Sequence, residues 1–80
     1  ERPPAQAISQ LMVDHIRALH AFYGDFKGAL FARKHIDWYS QELPAGAELK
    51  SRFMDSRDVM EQRDILADYH ENLASFSLTQ

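Results

Sequence analysis

From Ile8 to Tyr23 the apolar residues Ile8, Leu11, Met12, Ile16, Leu19, Phe22 and Tyr23 return at steps of three and four, the period of a helix that hides one face. Gly24 ends that run, since a residue without Cβ readily takes the backbone conformation that closes a helix. The spacing predicts a second helix from about Lys27 to Glu42, stopped by Leu43 to Gly46, where Pro44 keeps its predecessor out of helical geometry. A short third helix is predicted over about Ala47 to Met54, with Leu49 and Phe53 on its apolar edge and Glu48 and Arg52 in the favourable i,i+4 order. A fourth begins near Ser56 to Asp58, where Asp58 and Glu61 have the spacing of a capping box, and runs to about Ala74. Nothing alternates at period two and no repeat occurs, so the pattern predicts an all-α fold, a compact bundle of about four helices. Residues 1–7, with two adjacent prolines, read as a linker, 8–74 as the helical domain and 75–80 as a flexible tail.

Wound at about 100° per residue, the second helix places Phe31, Ala32, His35, Ile36, Trp38, Tyr39 and Leu43 on one arc. Arg33, Lys34, Asp37, Ser40 and Gln41 take the other. Trp38 is expected to be mostly buried at the edge of the apolar arc. In the first helix His15 projects to the centre of the apolar arc and His20 toward the polar side. Glu61, Asp64, Asp68 and Glu71 share one face of the fourth helix, opposite Val59, Leu66, Tyr69 and Leu73.

Composition narrows what such a bundle does. Eighty residues make one small domain with a thin core, which argues against a long substrate-enclosing cleft. Without cysteine there are no disulfides, thiolate zinc sites or cysteine nucleophiles, and a reducing cytoplasm is the expected location. The longest apolar runs are about four residues, against roughly 20 for a membrane-spanning helix, so no membrane partner is expected. The net charge of −3 is unevenly spread: residues 17–52 carry six Arg and Lys against four acids, and residues 53–80 carry six acids against two Arg. A polyanion would meet the middle of the chain.

Arg33 and Lys34 fit two readings: a solvated face with a local Arg33–Asp37 pair, or contacts to nucleic-acid phosphates, extended by Lys27, Lys50 and Arg52 if the second and third helices share a side. Trp38 and Tyr39 are expected to serve the core, with base stacking as the lesser alternative. Inward histidines raise the question of a metal, but His15 and His20 are five apart and splay, and no His-Glu-x-x-His occurs. They are expected as hydrogen-bonded core histidines, with no metal. The acids of the fourth helix line one surface instead of facing each other across a cleft, so they read as a solvated stripe that repels phosphate. No Gly-rich phosphate loop or nucleophile elbow is present. The residues themselves therefore lead to a binding or interaction module with a basic middle and no catalytic residues.

The segment HIRALHAFYGDFKGALFARKHIDWYSQEL, His15 to Leu43, and above all ARKHIDWY with FYG one helix earlier, resembles the C-terminal helical domain of bacterial tRNA-dihydrouridine synthases of the DusB/NifR3-like branch. The likeness continues more weakly through LKSRFMDS and DYHENLA. It implies a missing upstream TIM-barrel catalytic domain, joined through the linker, that uses FMN reduced by NAD(P)H to convert uridine to dihydrouridine in tRNA, with a barrel cysteine as proton donor. The helical domain would grip the tRNA: Arg33, Lys34, Lys27, Lys50 and Arg52 as RNA-binding cations, and His35, Trp38, Tyr39 and His15 supporting the helix that carries them. Ser40 departs from the apolar residue expected at its place. The alternative is a helical docking module, for a partner or for the barrel, without RNA binding.

Overall fold

The computed structural model describes the backbone of residues 4–79 and the side chains of residues 4–73, and within them the chain forms α1 (Ala5–Glu42), α2 (Gly46–Met54) and α3 (Val59–Thr79). The first and second predicted helices are one element bent at Gly24, so the count is three instead of four. Gly24 alone is non-helical, at φ 85° and ψ −176°, a combination close to glycine's own territory. The helix resumes at once beyond it, earlier than the expected start at Lys27.

The arms 5–23 and 25–42 fold back on each other. A Cβ on Gly28 would come within 2.8 Å of the His20 Cα, and the His15 imidazole reaches the Tyr39 hydroxyl at 2.9 Å. Pro4 is the extended N-cap, and its carbonyl accepts from the N–H groups of Ala7 and Ile8. The helix thus takes up the later part of the expected linker, because no proline follows position 4 to oppose it. At the far end α3 continues past Ala74 to Thr79, where a tail was expected. Residues 1–3 of the linker and Gln80 of the tail lie outside the described residues.

All three helices share one core. Met12 and Ile16 from the first arm, Ala32 and Ile36 from the second, and Phe53 from α2 are fully buried, with Leu66 and Leu73 of α3 at 1% exposure. The body measures 38 × 24 × 17 Å. Its shortest dimension is less than two helix diameters of about 10–12 Å, so every helix keeps a solvent face. On α3 that face is the acidic one: Asp64, Asp68 and Glu71 are exposed, opposite buried Val59, Leu66, Tyr69 and Leu73.

Two short connections set the angles. Ala45, in the left-handed region at φ 54°, turns the chain into α2, and Gly46 then packs so tightly on the Ser40 carbonyl that any Cβ would collide with it. The Tyr69 hydroxyl donates to the Pro44 carbonyl at 2.5 Å, which ties this turn to α3. Ahead of α3, Asp58 Oδ1 accepts the Glu61 N–H at 2.9 Å, half of the predicted capping box. Glu61 reaches one residue further back than the motif requires, accepting the Arg57 N–H at 2.8 Å and its Nε–H at 3.0 Å. Those two donors hold its carboxyl below the usual range.

Gly24→Ala has open space for its methyl group and is expected to cost about 1–3 kcal/mol, the cost of the backbone conformation alone. Gly46→Ala must push α2 off the Ser40 carbonyl and is expected to cost more. Urea unfolding of both variants checks the order; equal losses would contradict it.

Candidate nucleic-acid interface

The buried side of the second arm is centred on Ile36 and includes Ala29, Ala32, Tyr39, Ser40 and Leu43. Trp38, expected to be mostly buried, is 58% exposed, whereas Ser40, expected outside, is 8% exposed. The geometry explains both. Trp38 stands two residues, about 200°, from Ile36, too far round for hydrophobicity to bring it in. Ser40 is covered because the start of α2 rests on its carbonyl, and its hydroxyl donates to the Asp37 carbonyl at 3.0 Å. Phe31 and His35 are half-buried at the edge. The fully outward stripe is Lys27, Leu30, Lys34, Trp38 and Gln41, all exposed.

Of the five candidate cations, three come together. Arg33, Lys34 and Lys50 border one open depression with Asp37 and Met54. Arg33 is half-buried instead of outward: its Nη2 donates to the Ser56 carbonyl at 2.7 Å, and its Nε is buried with no partner among the described residues. The expected Arg33–Asp37 pair is replaced by Lys50 Nζ on Asp37 Oδ1 at 2.5 Å, with both side chains close to half exposed. Such a surface pair contributes about 0–1 kcal/mol and can yield to another anion. Lys27 lies on the same helix face as Lys34, two turns or about 10 Å earlier. Arg52 stands apart, paired with Asp68 at 3.0 Å and bordering a depression that also holds Asp55, Glu61 and Asp64.

The proposed supporting residues form a connected set. His35 Nδ1–H donates to the Phe31 carbonyl at 2.8 Å. Its ring meets that of His15 edge-on at 4.7 Å, His15 Nδ1 is hydrogen-bonded to the Tyr39 hydroxyl, and Tyr39 meets Trp38 edge-on at 4.9 Å. Burial raises the Tyr39 phenol above its ordinary value.

His20, placed near the polar side by its sequence, is instead 3% exposed, because the bend brings the second arm and α3 over it. Gln62 Nε2 donates to the Ala29 carbonyl at 3.2 Å, which fixes the amide so that Oε1 accepts from His20 Nε2–H at 2.6 Å. His20 Nδ1 is left as a buried acceptor without a partner among the described residues. Burial lowers the His20 pKa; the Gln62 bond opposes this, nearby Arg63 adds to it and Asp25 counters it. Gln62 and fully buried Ser9, whose hydroxyl is hydrogen-bonded to His70 Nδ1 at 2.8 Å, escaped sequence reasoning. Gln62 had a signal, since Val59, Gln62, Leu66, Tyr69 and Leu73 follow the 3,4,3,4 spacing of a buried stripe. Among the described residues no group of three His, Cys, Asp or Glu converges on a metal position, and no helix is long and apolar enough to cross a membrane.

The family model for dihydrouridine synthase (Dus) matches residues 1–75; the chain belongs to that family. It is 42% identical over 71 residues to a tRNA-dihydrouridine synthase B of Pectobacterium carotovorum, covering 89% of this chain and 22% of the relative. Proteins of the same name in Serratia marcescens, at 41% over 89% of this chain and 21% of the relative, and in Vibrio vulnificus, at 36% over 90% and 22%, are also similar. The chain therefore spans about a fifth of the length of the curated relatives it matches. No solved structure matches it.

The lowered His20 pKa has a consequence for stability. The unfolded chain takes up a proton on this imidazole near the ordinary 6.5 and the folded chain only at lower pH, so unfolded molecules bind more protons between the two values. Stability from this group is complete above about pH 6.5 and falls as the pH drops through that value, until the folded imidazole itself titrates. Urea midpoints measured from pH 7.5 to 5 should show this slope, and His20→Gln should flatten it. An unchanged slope in the variant would assign the effect elsewhere.

Proposed function

We propose that this chain is the tRNA-gripping helical domain of a cytoplasmic, FMN-dependent tRNA-dihydrouridine synthase, and that the complete protein reduces uridine to dihydrouridine in tRNA at the expense of NAD(P)H. The observation that carries this reading is the convergence of Arg33, Lys34 and Lys50 on one depression in a chain whose net charge is −3. Half of its twelve acids lie after Phe53, four on α3 and two in the loop before it, which leaves the middle of the chain with an excess of cations on which a phosphate backbone can lie. The curated relatives are named for action on tRNA. Within the depression the roles divide. Arg33 is tied to the Ser56 carbonyl and sets the shape of the surface, while Lys34 is free to meet a phosphate and Lys50 can exchange Asp37 for one.

The described residues do not fit a flavin. The depressions at Arg33, Lys34 and Lys50 and at Arg52 and Asp64 are open and edged by charged side chains, and the sequence offers no Gly-rich loop to cradle a phosphate. On this reading the flavin, the nicotinamide and the proton-donating cysteine belong to a TIM-barrel domain in the remainder of the protein. A second reading, docking, is favoured by one observation. Around the bend Phe22 is 81% exposed, Phe26 79%, Leu30 44% and Tyr23 43%, an apolar tip suited to the surface of a partner or of the barrel.

Binding of unmodified tRNA, followed at 50 to 300 mM salt, is expected to weaken linearly on a log–log plot. Lys34→Ala should lower affinity severalfold and reduce the slope by about 1. It is a cleaner probe than Arg33→Ala, which also cuts the tie to Ser56. Association indifferent both to salt and to Lys34→Ala would favour docking through the apolar tip.

A further inference from the structure

We propose that the outward stripe of the second arm is a stacking site for an unpaired nucleobase, with the Trp38 indole as its platform and Lys34 and Lys27 holding the phosphates that lead to it. The proposal rests on the tRNA-binding reading and deepens it by naming the part of the RNA: a base free of duplex pairing, as in a loop or a single strand.

Three observations converge on this. Trp38 is the chain's only tryptophan, and it is 58% exposed although the core already has Tyr39, Phe53 and Tyr69. Exposing that much indole is costly unless something covers it. Next, the ring is not loose. It rests edge-on against Tyr39 at 4.9 Å, and Tyr39 is 4% exposed with its hydroxyl held by His15, so the platform is set before a ligand arrives. Finally, the surroundings suit a polyanion. Lys34 is one turn before Trp38 and Lys27 two turns before Lys34, both exposed and without an ion pair among the described residues.

No carboxylate lies on the stripe Lys27, Leu30, Lys34, Trp38, Gln41, and Asp37 beside it is engaged by Lys50. Exposed Glu42, one turn past Trp38, repels phosphate at that end, so the strand runs from the indole back toward Lys34 and Lys27. Protein interfaces are depleted in lysine, and here two lysines alternate with Leu30 and Trp38. The apolar tip at Phe22 and Phe26 lacks that interleaving. Aromatic rings flanked by cations are how unpaired bases are held, whereas a duplex keeps its base faces stacked and out of reach.

Because Trp38 is the only tryptophan of the 80-residue chain, its fluorescence reports directly on the site. Titration with oligouridylate is expected to quench it, and an RNA duplex of equal length to leave it nearly unchanged. Trp38→Ala should weaken binding of oligouridylate and of unmodified tRNA about 5- to 150-fold, the worth of one base–aromatic stack, with the salt slope retained. Trp38→Phe should recover most of the loss, and Lys34→Ala should reduce the slope. Circular dichroism of each variant shows whether the fold is kept. Salt-dependent tRNA binding with unquenched Trp38 and a Trp38→Ala variant equal to the parent would overturn the stacking site and leave the tRNA-binding reading standing. Equal quenching by duplex and single strand would overturn it too, and absence of any RNA binding would remove both.

Discussion

Two buried hydrogen bonds made by one amide, that of Gln62, join the two arms of α1 to α3. Gln62 of α3 gives its N–H to the Ala29 carbonyl on the second arm of α1 and takes the His20 N–H from the first arm. Each group thereby fixes the next: the carbonyl orients the amide and the amide selects the imidazole tautomer. Buried polar groups are costly when unpaired, so the two arms and α3 have one favourable register and poor alternatives. A core of Met, Ile and Leu side chains alone would tolerate sliding far better.

That register decides what the outer surface offers. With the arms fixed, Arg33 lies under the loop between α2 and α3 and holds the Ser56 carbonyl, so a cation that looks free in the sequence is part of the framework. Lys50 comes across from α2 to stand beside Lys34, and Arg52, two residues later, turns to Asp68. Two neighbouring cations of one short helix thus end on surfaces of opposite character. The cationic patch of this acidic chain arises from an uneven placement of charge: residues 53–80 hold six acids against two Arg, whereas residues 17–52 hold six Arg and Lys against four acids.

Much of this was legible from periodicity. The all-α class, the amphipathic first arm, the stop at Leu43 to Gly46, the cap at Asp58 and the acidic face of α3 follow from spacings of three, four and seven with Gly and Pro as punctuation. The misreadings have a common physical origin. Trp38 was drawn inward and Ser40 outward by side-chain character, whereas angular position and the close approach of Gly46 decided both. His20 and Gln62 are polar residues buried by partners 42 residues apart in the chain, and no local pattern shows such a pairing. Gly24 marked a break correctly, but whether a break separates two helices or bends one depends on a single pair of dihedral angles. The grouping of Lys34 with Lys50 was visible only as a condition, that the second and third helices share a side. The family resemblance rests on side-chain identities in ARKHIDWY that periodicity does not encode.

The Ser9–His70 hydrogen bond spans 61 residues of sequence, the widest separation of any side-chain bond described above. The α1 hairpin closes through a one-residue bend and can assemble from local contacts, but this seam must wait until the intervening chain has folded, since distant contacts bear the largest loop-closure entropy. It is therefore a late clasp in the order of assembly.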